Sequence, residues 1–340
     1  MSGRAIGGFL PLDSDPLGAS GGVLKFWGVT EANAWKFANA RSALAHCLKV
    51  SGARRLVLPA YICSELASAA GDGIEVAFYP LSDTLSPNVI ALAEIVEPGD
   101  CVVVVDYFGR PPAQEFRDFA AMRNEIEWVE DCAQALDPGT EPWADWMLYS
   151  PRKLFGVPDG GILKRVKGDV PPVHYSVRGE EDREIPRRLR RDDPDERDNE
   201  IWYEAYRAVE AAMAPTCEPI SCYSTQRLGM IDVDAVVARR KANYAVLEET
   251  VSKYSFYDAT DNGFVPFGFP VRIGQRDHVW RKLRERRVFC ARYWARLPCD
   301  TTVFPYEYAI SRTVLMLPCD HRYDPADMVR VASAFHEAIQ

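Results

Sequence analysis

The chain has 340 residues, 47% of them hydrophobic, which is enough for a sizeable core and for more than one domain. Its 40 basic residues are outnumbered by 49 acidic ones, for a net charge of −9. That balance is a poor match for nucleic acid or an anionic membrane, and an anionic small molecule would need a local cationic site.

Residues 1–9 hold one arginine and no long apolar core, so they do not read as a signal peptide. From about 37 to 163 the pattern alternates between helix and strand. Residues 42–50 predict a helix, 55–58 a short apolar strand, 62–70 a helix and 75–79 a strand. The run 101–105 is continuously apolar and ends in Asp106, as suits a parallel strand buried on both faces. Residues 114–123 predict a helix, and 126–129 and 146–149 predict strands. This alternation argues for an α/β fold with a mainly parallel sheet.

The character changes after Lys164. Residues 177–199 are dense in charge and carry two prolines. They read as a solvated surface loop, or as an arm that reaches a second subunit or offers arginines to a phosphate-bearing substrate. Arg178, Arg187, Arg188, Arg190 and Arg191 are the candidates for a diphosphate, with solvation the expected state of most. Helices follow at 232–251, 277–288 and 324–339, with a strand at 314–317, implying a smaller C-terminal α/β unit. No stretch approaches the ~18 apolar residues of a membrane span. The nine cysteines form no C-x-x-C pair and read as mostly buried, reduced thiols of a cytoplasmic protein. Cys132 stands out because it adjoins a candidate site residue.

Four segments carry residue types suited to one chemistry. Lys153 lies in Ser150-Pro151-Arg152-Lys153, with Gly160-Gly161 beyond. A lysine becomes a Schiff-base nucleophile when burial or a neighbouring cation favours its neutral amine. Ser150 can offer a hydroxyl to a cofactor phosphate. The same pattern also suits a surface lysine. Asp131 falls just past a predicted strand, where ligands sit in open α/β sheets. A carboxylate there can pair with a protonated pyridine nitrogen, and Gln134 can meet the ring's phenolic oxygen. Asp131 reads equally as a helix N-cap. Arg41, Ser42 and Ala43 open the first predicted helix, whose free N–H groups suit a phosphate, or are an ordinary polar helix start. Tyr61 follows a predicted strand and is either a stacking platform or part of the core. One cofactor explains all four segments together.

In these segments the chain resembles the DegT/StrS-like nucleotide-sugar aminotransferases, of fold type I among the pyridoxal-phosphate enzymes. The matching stretches are NARSAL (39–44), LPAYIC (58–63), VEDCAQA (129–135) and YSPRKLFGVPDGG (149–161). IDVDAVVARRKANY (231–244) and Leu317-Pro318 match more loosely. The resemblance implies a large pyridoxal-phosphate-binding domain over 1–215, with a charged loop or arm at about 170–200, and a small domain over 216–340. It makes Lys153 the residue that holds the cofactor covalently and shuttles a proton. Asp131 would hold the ring nitrogen, Gln134 would face the ring oxygen and Tyr61 would stack on the ring. Ser42, Ser150 and backbone amides near Arg41 and Ala43 would hold the phosphate.

The family's usual Gly-Glu-Gly-Gly is here Pro158-Asp159-Gly160-Gly161, and its Gly-Tyr-Asn-Tyr-Arg segment corresponds to 221–227, which lacks an asparagine. The implied activity is transfer of an amino group from glutamate or glutamine to a keto-sugar, nucleotide-linked, in polysaccharide or secondary-metabolite biosynthesis. The implied assembly is a homodimer with a shared active site. Other pyridoxal-phosphate chemistry on the same scaffold, or a non-catalytic regulatory role, are the alternatives. No zinc motif, phosphate loop, dinucleotide fingerprint or serine-hydrolase elbow is present, and no metal is expected.

Overall fold

The computed structural model describes the whole chain except residues 1–3, 19–20, 178, 180–181, 195 and 259–262. Its strands are β1 (Ile6–Gly7), β2 (Ala34–Phe37), β3 (Arg55–Pro59), β4 (Glu75–Tyr79), β5 (Asp100–Val105), β6 (Glu127–Asp131), β7 (Trp146–Tyr149), β8 (Gly161–Arg165), β9 (Phe269–Arg272), β10 (Val288–Phe289) and β11 (Val314–Leu317). Seven of them form one sheet in the order β2-β8-β7-β6-β5-β3-β4. The pairs β4–β3, β3–β5, β5–β6 and β6–β7 are parallel, whereas β8 runs antiparallel to both β7 and β2. The α/β, mainly parallel architecture expected from the alternation is therefore present.

The apolar runs explain the sheet. Every residue of β5 is buried, as it must be with both faces covered. Register follows: Val103 lies opposite Val129, and Asp131 lies opposite Leu148. The carboxyl ends of β3, β5, β6 and β7 thus share one edge. Two strands escaped the sequence pattern. β2 and β8 are short, and β8 begins on the second of two glycines, so neither shows a long apolar run. The helix expected over 62–70 breaks into Ser64–Ala67 and a 3₁₀ turn at Ser68–Ala70.

The Ala40–Ser51 helix begins at Asn39, whose side chain accepts from the Ser42 N–H, and ends at Gly52 in the left-handed region (φ 67°). β8 approaches this helix start closely. A Cβ on Gly161 would lie 2.0 Å from the Asn39 carbonyl carbon, so no other residue fits there. A second apolar cluster gathers Leu247, Phe269, Leu283, Leu315, Met328 and Phe335, and Ile6 of β1 packs into it. Within it β9 and β11 pair antiparallel, and β1 pairs with β10 in parallel.

The charged segment departs from the solvated-loop reading. Within it lies the Ile185–Asp192 helix, and the Asn199–Ala212 helix begins at its end. Arg187 and Arg190 are buried. Arg187 donates to the carbonyls of Leu10 (2.5 Å) and Arg152 (2.9 Å). Arg190 donates to the carbonyls of Phe9 and Gly7 and to Glu196 (3.1 Å). Their guanidinium planes lie over Phe9, and that of Arg190 also over Trp202. Arginine can be buried in this way because its stem is apolar and its five donors find carbonyls. Arg188 and Arg191 remain exposed, and Arg178 lies outside the described residues.

Arg190→Ala should leave the nearly buried Glu196 with less support and free the N-terminal strand. The expected loss is about 3 kcal/mol, by the behaviour of buried pairs deprived of one partner. A fall in the thermal midpoint checks it, and an unchanged midpoint would count against this tether.

Candidate active site

Asp131 ends β6, and its carboxylate accepts from the Ala133 N–H (2.9 Å), opening the 3₁₀ turn Cys132–Gln134. The cap reading and the ligand reading are thus compatible, because one oxygen serves the cap. Among the described residues no hydrogen bond engages the other oxygen. Burial pushes the Asp131 carboxyl up, while the nearby Lys153 charge and the Ala133 N–H pull it down. Gln134 is buried, and its Oε1 accepts from the Phe108 N–H (2.9 Å). That fixes the amide orientation and leaves its N–H₂ without a hydrogen bond among the described residues.

Lys153 sits in the short helix Pro151–Leu154, directly after β7. It is half-buried, and no hydrogen bond or ion pair holds its amine among the described residues. Ser150, the residue before that helix, is buried and its hydroxyl makes no cap bond. Asp131, Gln134, Ser150 and Lys153 therefore stand together at the carboxyl ends of two adjacent strands, each with hydrogen-bonding capacity unused.

Tyr61 lies just beyond β3 at the same edge, with its ring fully buried. The ring stacks on Tyr107 (centroids 5.6 Å apart, 29° between planes) and meets the edge of Trp294 (5.0 Å). Its hydroxyl donates to the Tyr293 carbonyl. Both neighbours belong to this chain.

Arg41, Ser42 and Ala43 stand at the start of the Ala40–Ser51 helix, beside the first residues of β8. The Ser42 N–H and hydroxyl both donate to Asn39 Oδ1 (2.9 and 3.1 Å), and the Ala43 N–H bonds the Asn39 carbonyl (3.3 Å). Arg41 donates to the Met213 carbonyl. The Thr216 N–H donates to the Ser42 hydroxyl (2.9 Å). A strap of the chain's own backbone therefore covers this helix start.

The Pro158-Asp159-Gly160-Gly161 stretch has a visible task. Asp159 is buried and accepts from the Ser221 N–H (3.1 Å) and hydroxyl (2.7 Å) and from the Ser224 hydroxyl. It thereby anchors the Cys222–Leu228 helix, which occupies the 221–227 stretch.

Behind Asp131, on the opposite face of the sheet, lie Asp106, Glu130 and Cys132. Alternation along β6 puts Glu130 and Asp131 on opposite sides. The Cys132 thiol donates to Asp106 (3.6 Å), and the Trp143 indole N–H donates to Glu130 (2.7 Å). Burial pushes the Cys132 thiol well above its ordinary range, so it is an inert structural thiol. Burial raises Asp106 well above the carboxylate range, with the Glu130 charge adding to it, and burial lifts Glu130 to about 7.

The folded protein therefore keeps protons that the unfolded chain has released above about pH 4.5. Stability from the protonated Glu130 is complete below that value and is lost as pH rises through about 7. Glu130→Gln keeps an acceptor for Trp143 and removes the ionisation. It should raise stability by on the order of 2 kcal/mol at pH 8 and by little at pH 5. Thermal melts of both proteins across that range check the sign. A variant no more stable at pH 8 than the parent would refute it.

A cavity of about 500 Å³ opens beside Lys153. It is walled by β1 and its sequel, the charged helices and the second apolar unit, and seven lysines and arginines line it against two acids. Sequence reading missed Arg240 in this wall. It is fully buried and donates to the carbonyls of Leu154, Pro266 and Phe267 (each 3.2 Å). Its position among Val233, Val236 and Leu247, in the buried phase of the Val233–Val251 helix, was the available signal.

No family model matches the chain, and none of the curated proteins resembles it closely in sequence. Solved structures do match it over nearly its whole length. DesV of S. venezuelae, solved with a ketimine intermediate, superposes with a TM-score of 0.66 over 100% of this chain and 92% of its own, at 18% identity. A DegT DnrJ EryC1 StrS aminotransferase from Brucella abortus gives 0.63 over 93% and 87%, at 15% identity. NtdA from Bacillus subtilis, with bound cofactor PMP, gives 0.63 over 95% and 78%, at 14% identity. At such identities the likeness is one of architecture. The chain has the fold of the DegT/DnrJ/EryC1/StrS-type sugar aminotransferases.

Proposed function

We propose that this protein is a pyridoxal-phosphate-dependent aminotransferase that passes an amino group from glutamate or glutamine to a nucleotide-linked keto-sugar. The observation that carries the reading is the Asp131–Lys153 pair. A carboxylate with one uncommitted oxygen faces the field of an untethered amine across adjacent strand ends, on a fold shared with sugar aminotransferases. The donor set fits the cofactor at its ring end. Lys153 would hold the aldehyde carbon, Asp131 the ring nitrogen and Gln134, through its unused N–H₂, the ring oxygen. Ser150 would hold the phosphate, joined by Ser42, Arg41 and the Ala43 region at the helix start. Tyr61 would form the wall of the ring site.

When bound, pyridoxal phosphate supplies the electron sink that makes the donor's α-proton labile. Lys153, with its amine free, would carry a proton between the donor's α-carbon and the cofactor's carbonyl carbon. Asp131, as the carboxylate, would keep the ring nitrogen protonated. The cationic cavity supplies what the net charge of −9 lacks, a local attraction for a diphosphate. The reading includes a cytoplasmic homodimer with a shared active site. Among the described residues no helix is long and apolar enough to cross a membrane.

The test is to load the protein with pyridoxal phosphate and add amino acids singly. Glutamate or glutamine should bleach the visible band, and a keto-sugar nucleotide should restore it with formation of the amino sugar. A band that no amino acid bleaches would sink the aminotransferase reading. Product from a keto-sugar with no amine donor would assign a different reaction to the same residues.

A further inference from the structure

The strap over the start of the Ala40–Ser51 helix does more than cap it. Glu210, near the end of the Asn199–Ala212 helix, makes a two-pronged ion pair with Arg152, the neighbour of Lys153. Arg152 is itself buried. Three residues on, the Met213 carbonyl accepts from Arg41, and the Ala214 carbonyl accepts from Asn39 Nδ2 (3.4 Å). The Thr216 N–H then takes the Ser42 hydroxyl (2.9 Å). One carboxylate and two carbonyls, all from seven consecutive residues, thus lie on Arg152, two residues past Ser150, and on Asn39 and Arg41 at the helix start. Arg41 and Arg152 lie close enough to repel, and Glu210 stands between them in charge. This is the pattern a phosphate would satisfy, met instead by the protein's own oxygens.

We infer that the strap 210–216 is an internal substitute for the cofactor phosphate, held in place until the cofactor displaces it. The inference rests on the reading of this edge as a pyridoxal-phosphate site. Binding and strap release are then one equilibrium. The apparent affinity for pyridoxal phosphate is reduced by the fraction of molecules in which the strap is closed. Pyridoxal, which has no phosphate, gains nothing from release and should leave the strap closed. The strap therefore selects for the phosphorylated form.

The deciding experiment is hydrogen–deuterium exchange of the full chain, followed on peptides covering 210–217. Measurements are made alone, with pyridoxal phosphate and with pyridoxal, while the visible band reports occupancy. Exchange in this stretch should rise with pyridoxal phosphate, contrary to the usual protection by a ligand, and stay unchanged with pyridoxal. A visible band together with unchanged or slower exchange at 210–217 overturns the inference and leaves the proposed function standing. No band at any concentration overturns both. Glu210→Gln, which weakens the ion pair to Arg152, should tighten pyridoxal phosphate about three- to tenfold and leave pyridoxal unaffected. The exchange comparison on the parent, alone and with each of the two compounds, carries the test if that variant folds poorly.

Discussion

Lys153→Ala is expected to abolish turnover while leaving the fold intact. The side chain is half-buried and tied to nothing among the described residues, so its loss removes chemistry and little packing. In the proposed function two roles go together: covalent attachment of the cofactor and proton transfer at the donor's α-carbon. Proton transfer by a positioned base alone is worth about 10²–10⁴-fold. Lys153→Arg should be as inactive, because a guanidinium stays charged and cannot act as a nucleophile or base. Small primary amines supplied in solution should partly restore Lys153→Ala and leave Lys153→Arg inactive. Equal activity in parent and Lys153→Ala would remove the lysine from the mechanism.

Asp131→Asn should bind pyridoxal phosphate and turn over slowly. The amide oxygen can still accept from the Ala133 N–H, so the 3₁₀ turn survives. What the proposed function loses is the negative charge that Asp131 would set opposite the ring nitrogen. A charged hydrogen bond contributes about 1.5–3 kcal/mol, so kcat should fall about ten- to hundredfold. The isotope effect with α-deuterated glutamate should grow, because proton removal becomes the harder step. A merely structural role for Asp131 would lower stability and leave that isotope effect unmoved.

The sheet was legible because its strands carry the physical signature of their burial. The valines of β5 sit in a doubly covered sheet and show as an unbroken run, whereas β6 is interrupted by Glu127 and is signalled by Trp128 and Val129. Asp131 was legible because a carboxylate at the carboxyl end of such a strand lies at the sheet edge. Lys153, Ser150 and Gln134 followed from short-range spacing. What escaped depends on contacts far apart in the chain. The Thr216–Ser42 and Arg41–Met213 contacts span more than 170 residues, and nothing local to either partner announces them.

The charged segment misled for a related reason. Arg187 and Arg190 look like solvated charges until carbonyls of residues 7–10 arrive to meet them. Tyr61 stood correctly at a strand end, but Tyr107 and Trp294, which flank it, come from other elements and were not foreseen.

The most direct measurement is borohydride reduction of the protein after incubation with pyridoxal phosphate, followed by peptide mass analysis. The expected result is one modified peptide, carrying the reduced adduct on Lys153, in near-stoichiometric yield. Adducts scattered over several surface lysines, or a clean adduct on any lysine other than Lys153, would contradict the assignment of this edge of the sheet as the active site.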